Sequence, residues 1–244
     1  MYVVETLKSA VGRITGATKL APRELRARPR RRKPLTTRFK DDGAIPNNPL
    51  PFVLYPGAVD LAGSDDPAAV FEQLFAANGW GVSWRNGIYD YVHYHSRIHE
   101  VLGIARGSAQ VRFGGGDGRT IEVRAGDVAI LPAGTGHQCL GASEDFLVVG
   151  AYPPSGTYDE CRGAPDEHAR ALQTIAKVRL PRRDPVLGAD GPLLRLWSPA
   201  RPRRKARART AATVRAKTRA STRPRSKPRR PRPAKRRAPA RKRA

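Results

Sequence analysis

The sequence has little of several features that would place it in familiar classes. Its only two cysteines, Cys139 and Cys161, form no closely spaced pair and are too few for a disulfide framework. No apolar run approaches the ~20 residues that a membrane-spanning helix needs. The first residues hold no long apolar run, include Glu5, and do not resemble a secretory signal. We therefore expect a cytoplasmic protein with reduced thiols and no membrane contact.

Acidic residues are scarce at both ends of the chain. The formal net charge of +25 therefore comes from the two ends. Residues 201–244 carry 21 Lys or Arg and no Asp or Glu, whereas residues 1–40 carry 12 Lys or Arg and 2 Asp or Glu. Residues 41–200, which lie between them, have a net charge of −6. The chain is thus an acidic body between two basic arms, and the two need separate explanations.

The composition divides the chain into three predicted parts. Residues 1–37 form a basic, largely disordered arm, residues 38–200 a folded domain, and residues 201–244 a disordered tail rich in Arg, Lys, Pro and Ala. The tail has no aromatic side chain, so it can neither stack on bases nor pack a core. Its contacts with DNA or RNA would be made with phosphates, without sequence specificity, and would be steeply salt-dependent. Such contacts would associate the protein with the nucleoid; the alternative is a solvated tail with no selected partner.

The middle of the chain predicts an all-β domain with a few helices. Asp66 before Pro67 is a good helix start, and apolar spacing predicts a helix over 67–78. A second helix is predicted over 165–177. Between 80 and 152, short β-branched and aromatic runs alternate with glycine turns, including the hairpin turn GGGDG at 114–118. Short strands at this spacing are typical of a β-sandwich or barrel.

Two further segments complete this interpretation. Phe52, Val53 and Leu54 predict a short edge strand, since prolines surround them. The proline-rich segment 181–199 is expected to wrap around the barrel, with Trp197 as an anchor at its end.

Four of the five histidines fall between residues 93 and 137. His93 and His95 are two residues apart, so on a strand their imidazoles would project from the same face. Glu100 follows at the start of the next apolar run, and His137 comes 42 residues after His95, beyond a hairpin. A neighbouring strand could bring His137 to the same place. Three imidazoles and one carboxylate suit one divalent transition metal ion, such as Mn, Fe, Co, Ni, Cu or Zn.

The glycine and proline punctuation around these residues resembles the two sequence motifs of the cupin superfamily. The second motif usually ends in Asn four positions after its histidine, where this chain has Gly141. That Asn is not a metal ligand, so the departure leaves the proposed ligand set intact. The matching residues are Gly87, His93, His95, Glu100 and Gly107 in the first motif, and Gly126, Pro132, Ala133, Gly134 and His137 in the second.

The wider sequence, over roughly residues 38–197, resembles the uncharacterised bacterial single-domain cupin family typified by YjlB. This resemblance implies a small jelly roll, the double-stranded β-helix barrel. It also implies a metal ion inside the barrel, with His93, His95, Glu100 and His137 as ligands. It implies no particular reaction, because cupins include isomerases, dioxygenases and proteins that only bind. The basic arms lie outside the resemblance.

Three other residues are pocket candidates. His99 precedes Glu100, and since neighbours on a strand point to opposite faces, both cannot easily bind one ion. The spacing to Gly107 favours Glu100, with His99 in a surface or supporting role. Tyr91 shares a face with His93 and His95 and could either pack the core or contact a substrate. Cys139 shares the parity of His137, although a small buried apolar role is the simpler interpretation.

Three functions compete at this point. The first is a metal-dependent enzyme, such as an isomerase or dioxygenase, that acts on a small polar metabolite. The second is a module that binds a metal or small molecule without catalysis and is tethered to nucleic acid by its basic tail. The third is a structural protein whose barrel serves only for dimerisation, which the intact ligand quartet argues against. A homodimer through the outer sheets is compatible with all three.

Overall fold

A computed structural model describes residues 28–198 of the chain. The predictions for residues 1–27 and for the tail at 201–244 lie outside the described residues. Within the described part, no helix has the length and apolar character needed to cross a membrane.

Antiparallel strands dominate the described part of the chain. Their pairing forms a six-stranded sheet in the order β2-β3-β9-β6-β11-β5, a three-stranded sheet in the order β10-β7-β8, and a small pair of β1 with β4. The strands are β1 (Arg28–Pro29), β2 (Leu35–Thr37), β3 (Phe52–Tyr55), β4 (Val59–Asp60), β5 (Val82–Asn86), β6 (Glu100–Arg106), β7 (Ser108–Phe113), β8 (Arg119–Arg124), β9 (Val128–Leu131), β10 (His137–Ala142) and β11 (Leu147–Tyr152). Two antiparallel sheets joined in this way form a jelly roll, which confirms the predicted all-β fold class.

Three helices accompany the sheets: α1 (Pro67–Ala77), α2 (Pro165–Ile175) and α3 (Pro192–Leu196). The predicted helices at 67–78 and 165–177 are confirmed with small differences at their C-terminal ends. Asp66 caps α1 as expected, since its carboxylate accepts the backbone N–H of Ala69. The predicted turn at 114–118 joins β7 to β8.

The four central strands of the six-stranded sheet are buried on both faces, because alternate residues enter two different apolar clusters. On β6, Val101 and Ala105 pack outward with α1, while Leu102 and Ile104 pack inward against the three-stranded sheet. The inner cluster fills part of the barrel, and Glu100 shares the parity of its members. The alternation of side chains along β6 therefore directs the Glu100 carboxylate into the barrel.

The N-terminal boundary of the paired chain differs from the prediction. β2 pairs with β3 from Leu35↔Leu54 to Thr37↔Phe52, so β3 is an interior strand and the predicted edge strand at 52–54 is wrong. Backbone hydrogen bonds make this pairing and require no apolar sequence. Two short strands, β1 and β2, consequently precede the predicted domain start at residue 38. Both lie in the segment that was assigned to the arm.

The segment after α2 wraps the outside of the six-stranded sheet, held by one fully buried carboxylate. Asp184 accepts the hydroxyl of Tyr55 at 2.6 Å and the backbone N–H groups of Val186, Leu187 and Leu193. Trp197 is 2% exposed and donates its indole N–H to the carbonyl of Pro51 at 2.8 Å. Trp197 is therefore the anchor that the sequence predicted.

Candidate metal centre

The ligand residues come from three separate segments that meet inside the barrel. His93 and His137 exchange backbone hydrogen bonds, with N–H to O distances of 3.2 and 2.9 Å. The intervening Tyr94 exchanges two such bonds with Cys161 and packs in the opposite direction, against Ile45. Because Tyr94 points away, His93 and His95 both point inward, as the two-residue spacing predicted.

The structure brings the three imidazoles and the carboxylate together. One ring nitrogen from each of His93, His95 and His137 lies within 4.8 Å of the others. Glu100, the first residue of β6, places its Oε2 3.4 Å from the Nε2 atoms of both His95 and His137. All four residues are at most 5% exposed. We call these four side chains the ligand cluster.

Hydrogen bonds on the far side of each ring fix which nitrogen faces the cluster. The Nδ1 atom of His93 faces the carbonyl oxygen of Tyr91 at 3.4 Å, and that of His137 faces the carbonyl of Thr135 at 3.3 Å. The Nδ1 of His95 bonds the carbonyl of Asp159. A carbonyl only accepts, so each Nδ1 carries a proton, and each Nε2 faces the cluster with a lone pair when its ring is neutral.

With all three rings neutral, as metal binding requires, the ligand cluster is a set of acceptors facing one another. Glu100 Oε2 is buried and has no hydrogen-bond partner among the described residues. A buried carboxylate oxygen next to imidazole lone pairs costs free energy unless a cation or proton lies between them. Three neutral imidazole nitrogens and one carboxylate oxygen are a donor set that first-row divalent metals accept. The residues present therefore fit the metal ion that the sequence motifs imply.

Electrostatics favour an anionic Glu100 beside neutral His93 and His137, and they favour a proton on His95. Burial by itself would raise the pKa of Glu100. The nearby His95, His137 and His93 lower it by more, so that the pKa falls to about 2. Burial lowers the pKa of His137 well below its usual value and also lowers that of His93. Burial opposes protonation of His95 as well, yet the Glu100 carboxylate raises the pKa of this imidazole overall. Glu100 is consequently anionic at neutral pH, and His93 and His137 are neutral.

The remaining candidates lie outside the ligand cluster. His99 is 1% exposed on the opposite face of the sheet, where its Nδ1 accepts the N–H of Ala133 at 2.9 Å and its ring packs on Trp197. Tyr91 lies beside His93, with ring centroids 5.7 Å apart, and donates its hydroxyl to Glu160 at 3.2 Å. Cys139 is half-buried and packs against the inner apolar cluster.

A small cavity of about 20 Å³ adjoins the ligand cluster. Three tyrosines that the sequence interpretation missed form part of its wall: Tyr89, Tyr152 and Tyr158. Trp84 also lines this cavity and donates its indole N–H to the hydroxyl of Tyr152 at 2.9 Å. Tyr89 lies four residues before His93, and Tyr152 lies four residues after Val148. Because residues an even number of positions apart on a strand share a face, both tyrosines could have been indicated by the sequence. Tyr158 lies outside the strands, so no periodic signal marks it.

Comparison with known proteins supports the fold and the family. The family model described as "Cupin" matches residues 61–226, which is more than half of the chain. A curated relative, "Uncharacterized protein YjlB" from Bacillus subtilis (strain 168), is 41% identical over 160 residues, which cover 65% of this chain and 93% of the relative. The resemblance inferred from the sequence is thereby confirmed.

Solved structures with similar chains are more distant. An uncharacterised conserved protein with a double-stranded β-helix domain from Klebsiella pneumoniae is 17% identical, with a TM-score of 0.29, over 61% of this chain and 93% of that one. A variant of oxalate decarboxylase OxdC from Bacillus subtilis is 20% identical, with a TM-score of 0.28, over 49% of this chain and 29% of that one. Neither likeness bears on the reaction. On the strength of the family match and of the relative YjlB, the chain belongs to the cupin family.

Proposed function

We propose that His93, His95, Glu100 and His137 hold one divalent transition metal ion, and that the adjoining cavity binds a small polar metabolite there. The observation that carries this proposal is the acceptor-only ligand cluster, in which Glu100 Oε2 lacks a partner among the described residues. A purely structural polar cluster would pair donors with acceptors. Mn, Fe, Co, Ni or Zn would suit these ligands, and the cluster does not distinguish among them.

The chain's own residues define what such a site can do. A bound ion would act as a Lewis acid on an oxygen of the metabolite or, if it is iron, would support oxygen chemistry. Leu102 and Ile88 exclude water from part of the cavity wall. The Tyr152 hydroxyl, which accepts from Trp84, lines the same cavity as Glu100. These roles serve an isomerase, a dioxygenase or a pure binding protein equally well.

Metal content of the purified full-length chain, without an affinity tag, tests the proposal. We expect close to one equivalent of metal in the wild type, measured by inductively coupled plasma mass spectrometry. The isosteric variant Glu100→Gln should weaken binding more than about 100-fold, since even replacing an outer partner of a ligand costs about 10–100-fold. The control is His168→Ala, which removes the fifth histidine, bonded to Asp41 and distant in sequence from the cluster. Wild-type protein that stays metal-free after reconstitution would contradict the proposal.

A second role rests on the sequence of the tail. Residues 201–244 carry 21 Lys or Arg without an acid, which is the composition of a chain that binds polyphosphates through charge alone. In this role the barrel is a metabolite- or metal-binding module attached to DNA or RNA by residues 201–244, without catalysis. Homodimerisation and a place on the nucleoid remain predictions of the same kind.

A further inference from the structure

The connection between β11 and α2 is bonded to the ligand segment at several consecutive residues. The Asp159 carboxylate accepts the backbone N–H of Ser96 at 2.9 Å, the hydroxyl of Ser96 at 2.6 Å and the backbone N–H of Arg97 at 3.1 Å. Its main-chain carbonyl accepts the Nδ1–H of His95. One residue therefore fixes the backbone after His95 and the imidazole of His95 together.

His95 differs from the other two histidines of the ligand cluster in where this partner comes from. His93 and His137 each face the carbonyl two residues earlier in their own segment, so the local backbone sets the orientation of both rings. The partner of His95 is 64 residues away in the chain. The orientation of His95 consequently depends on how firmly a distant connection is docked.

We propose that Asp159 is the positioning residue for His95: its carboxylate docks the connection on Ser96 and Arg97, and its carbonyl thereby holds the imidazole with Nε2 toward the ligand cluster. The inference rests on the proposed metal site. An isolated bridge lies beside these bonds, since Cys161 and Tyr94 exchange backbone hydrogen bonds two residues further along the connection. When the carboxylate is lost, the carbonyl has less to hold it, and His95 is free to exchange its tautomer and turn its ring.

Two variants of the full-length chain test this role. Asp159→Asn keeps the shape of the side chain but replaces one accepting oxygen with an NH₂ donor. Asp159→Ala removes the carboxylate, and with it the bonds to Ser96 and Arg97 and the contact from the Cys161 thiol at 3.7 Å. The matched control is Glu167→Gln. The Glu167 carboxylate also accepts two backbone N–H groups of the same connection, from Arg162 at 2.8 Å and Ala164 at 3.0 Å. Glu167 bonds Arg162 and Ala164 and not His95 among the described residues, so this variant reports on general loosening of the connection.

Two measurements are needed, one with metal and one without. Competition with a chromophoric chelator for Co²⁺ should show affinity about 10–100-fold weaker in both Asp159 variants and unchanged in Glu167→Gln. In metal-free protein, nitrogen-15 spectra of the histidine side chains should show a proton fixed on Nδ1 of His95 in the wild type and exchange between the two ring nitrogens in the Asp159 variants. Circular dichroism confirms that each variant is folded.

The outcomes separate this inference from the proposed function. Wild-type metal affinity and an unchanged His95 tautomer in Asp159→Ala would overturn the role of Asp159, as would an equal loss of affinity in Glu167→Gln. A wild type that binds no metal would refute the proposed function, and the tautomer spectra would still show whether Asp159 orients His95.

Discussion

At the scale of single residues, His99 and Glu100 show how one step along a strand separates two kinds of chemistry. Glu100 points into the barrel toward imidazole lone pairs, while His99 is packed against Trp197 and accepts a backbone N–H from Ala133. The alternation of strand side chains could be predicted from the sequence, and so could the four residues of the ligand cluster, because fixed motif spacings mark them. Asp159 could not be predicted, since a main-chain carbonyl carries no sequence signal.

His99 gives a pH-dependent contribution to stability. Burial lowers its pKa to about 4, from the usual 6.5. The unfolded chain therefore binds more protons than the folded chain between these values, so this contribution is fully present above pH 6.5 and is lost as the pH falls toward 4. The difference corresponds to roughly 3 kcal/mol. Urea unfolding of metal-free protein at pH 7 and pH 4 should show this share of the loss in the wild type but not in His99→Asn, which keeps an acceptor at the δ position. Equal losses in the two proteins would contradict this assignment.

At the scale of elements, α1 lies so close to the six-stranded sheet that one strand position must be glycine. A Cβ added at Gly103 on β6 would lie 2.4 Å from the ring of Phe71, whereas one at Gly141 on β10 would meet nothing within 4 Å. Neither glycine has a positive φ, so the two differ in available space and not in backbone strain. Gly103→Ala should destabilise the fold by about 1–3 kcal/mol because Phe71 must shift. Gly141→Ala should change the free energy of unfolding by no more than about 0.5 kcal/mol, and chemical denaturation checks both values.

The elements with a strong periodic pattern were predicted well, and those made by backbone pairing alone were not. Asp66 and the apolar face of α1 mark that helix in the sequence, and the glycines at 114–118 mark the hairpin. β2 lies in Arg- and Pro-rich sequence, and its residues are largely exposed. It forms because β3 offers an unpaired edge, which no pattern in residues 35–37 could reveal. The same limit explains why the cavity wall at Tyr158 was missed.

At the scale of the whole molecule, the charge of the chain is divided between an acidic body and basic ends. If residues 201–244 bind nucleic acid through phosphates, removing them should abolish the binding, and the logarithm of the affinity of the intact chain should fall linearly with the logarithm of salt concentration. Fluorescence anisotropy with a labelled duplex of arbitrary sequence, at several salt concentrations, measures both. Metal content should be the same with and without the tail. Undiminished affinity of residues 1–200 at physiological salt would refute the assignment and direct attention to the basic segment at 23–33.

The size of the cavity beside the ligand cluster has a consequence for rates. A volume of about 20 Å³ holds about one water molecule. Water therefore fits this space as it stands, whereas binding of the metabolite proposed above requires part of the wall to move aside. For such a molecule, the observed binding rate should level off as its concentration rises, at the frequency with which the wall opens. Movement of the barrel wall, and not the concentration of the metabolite, would then limit the rate at which larger partners bind.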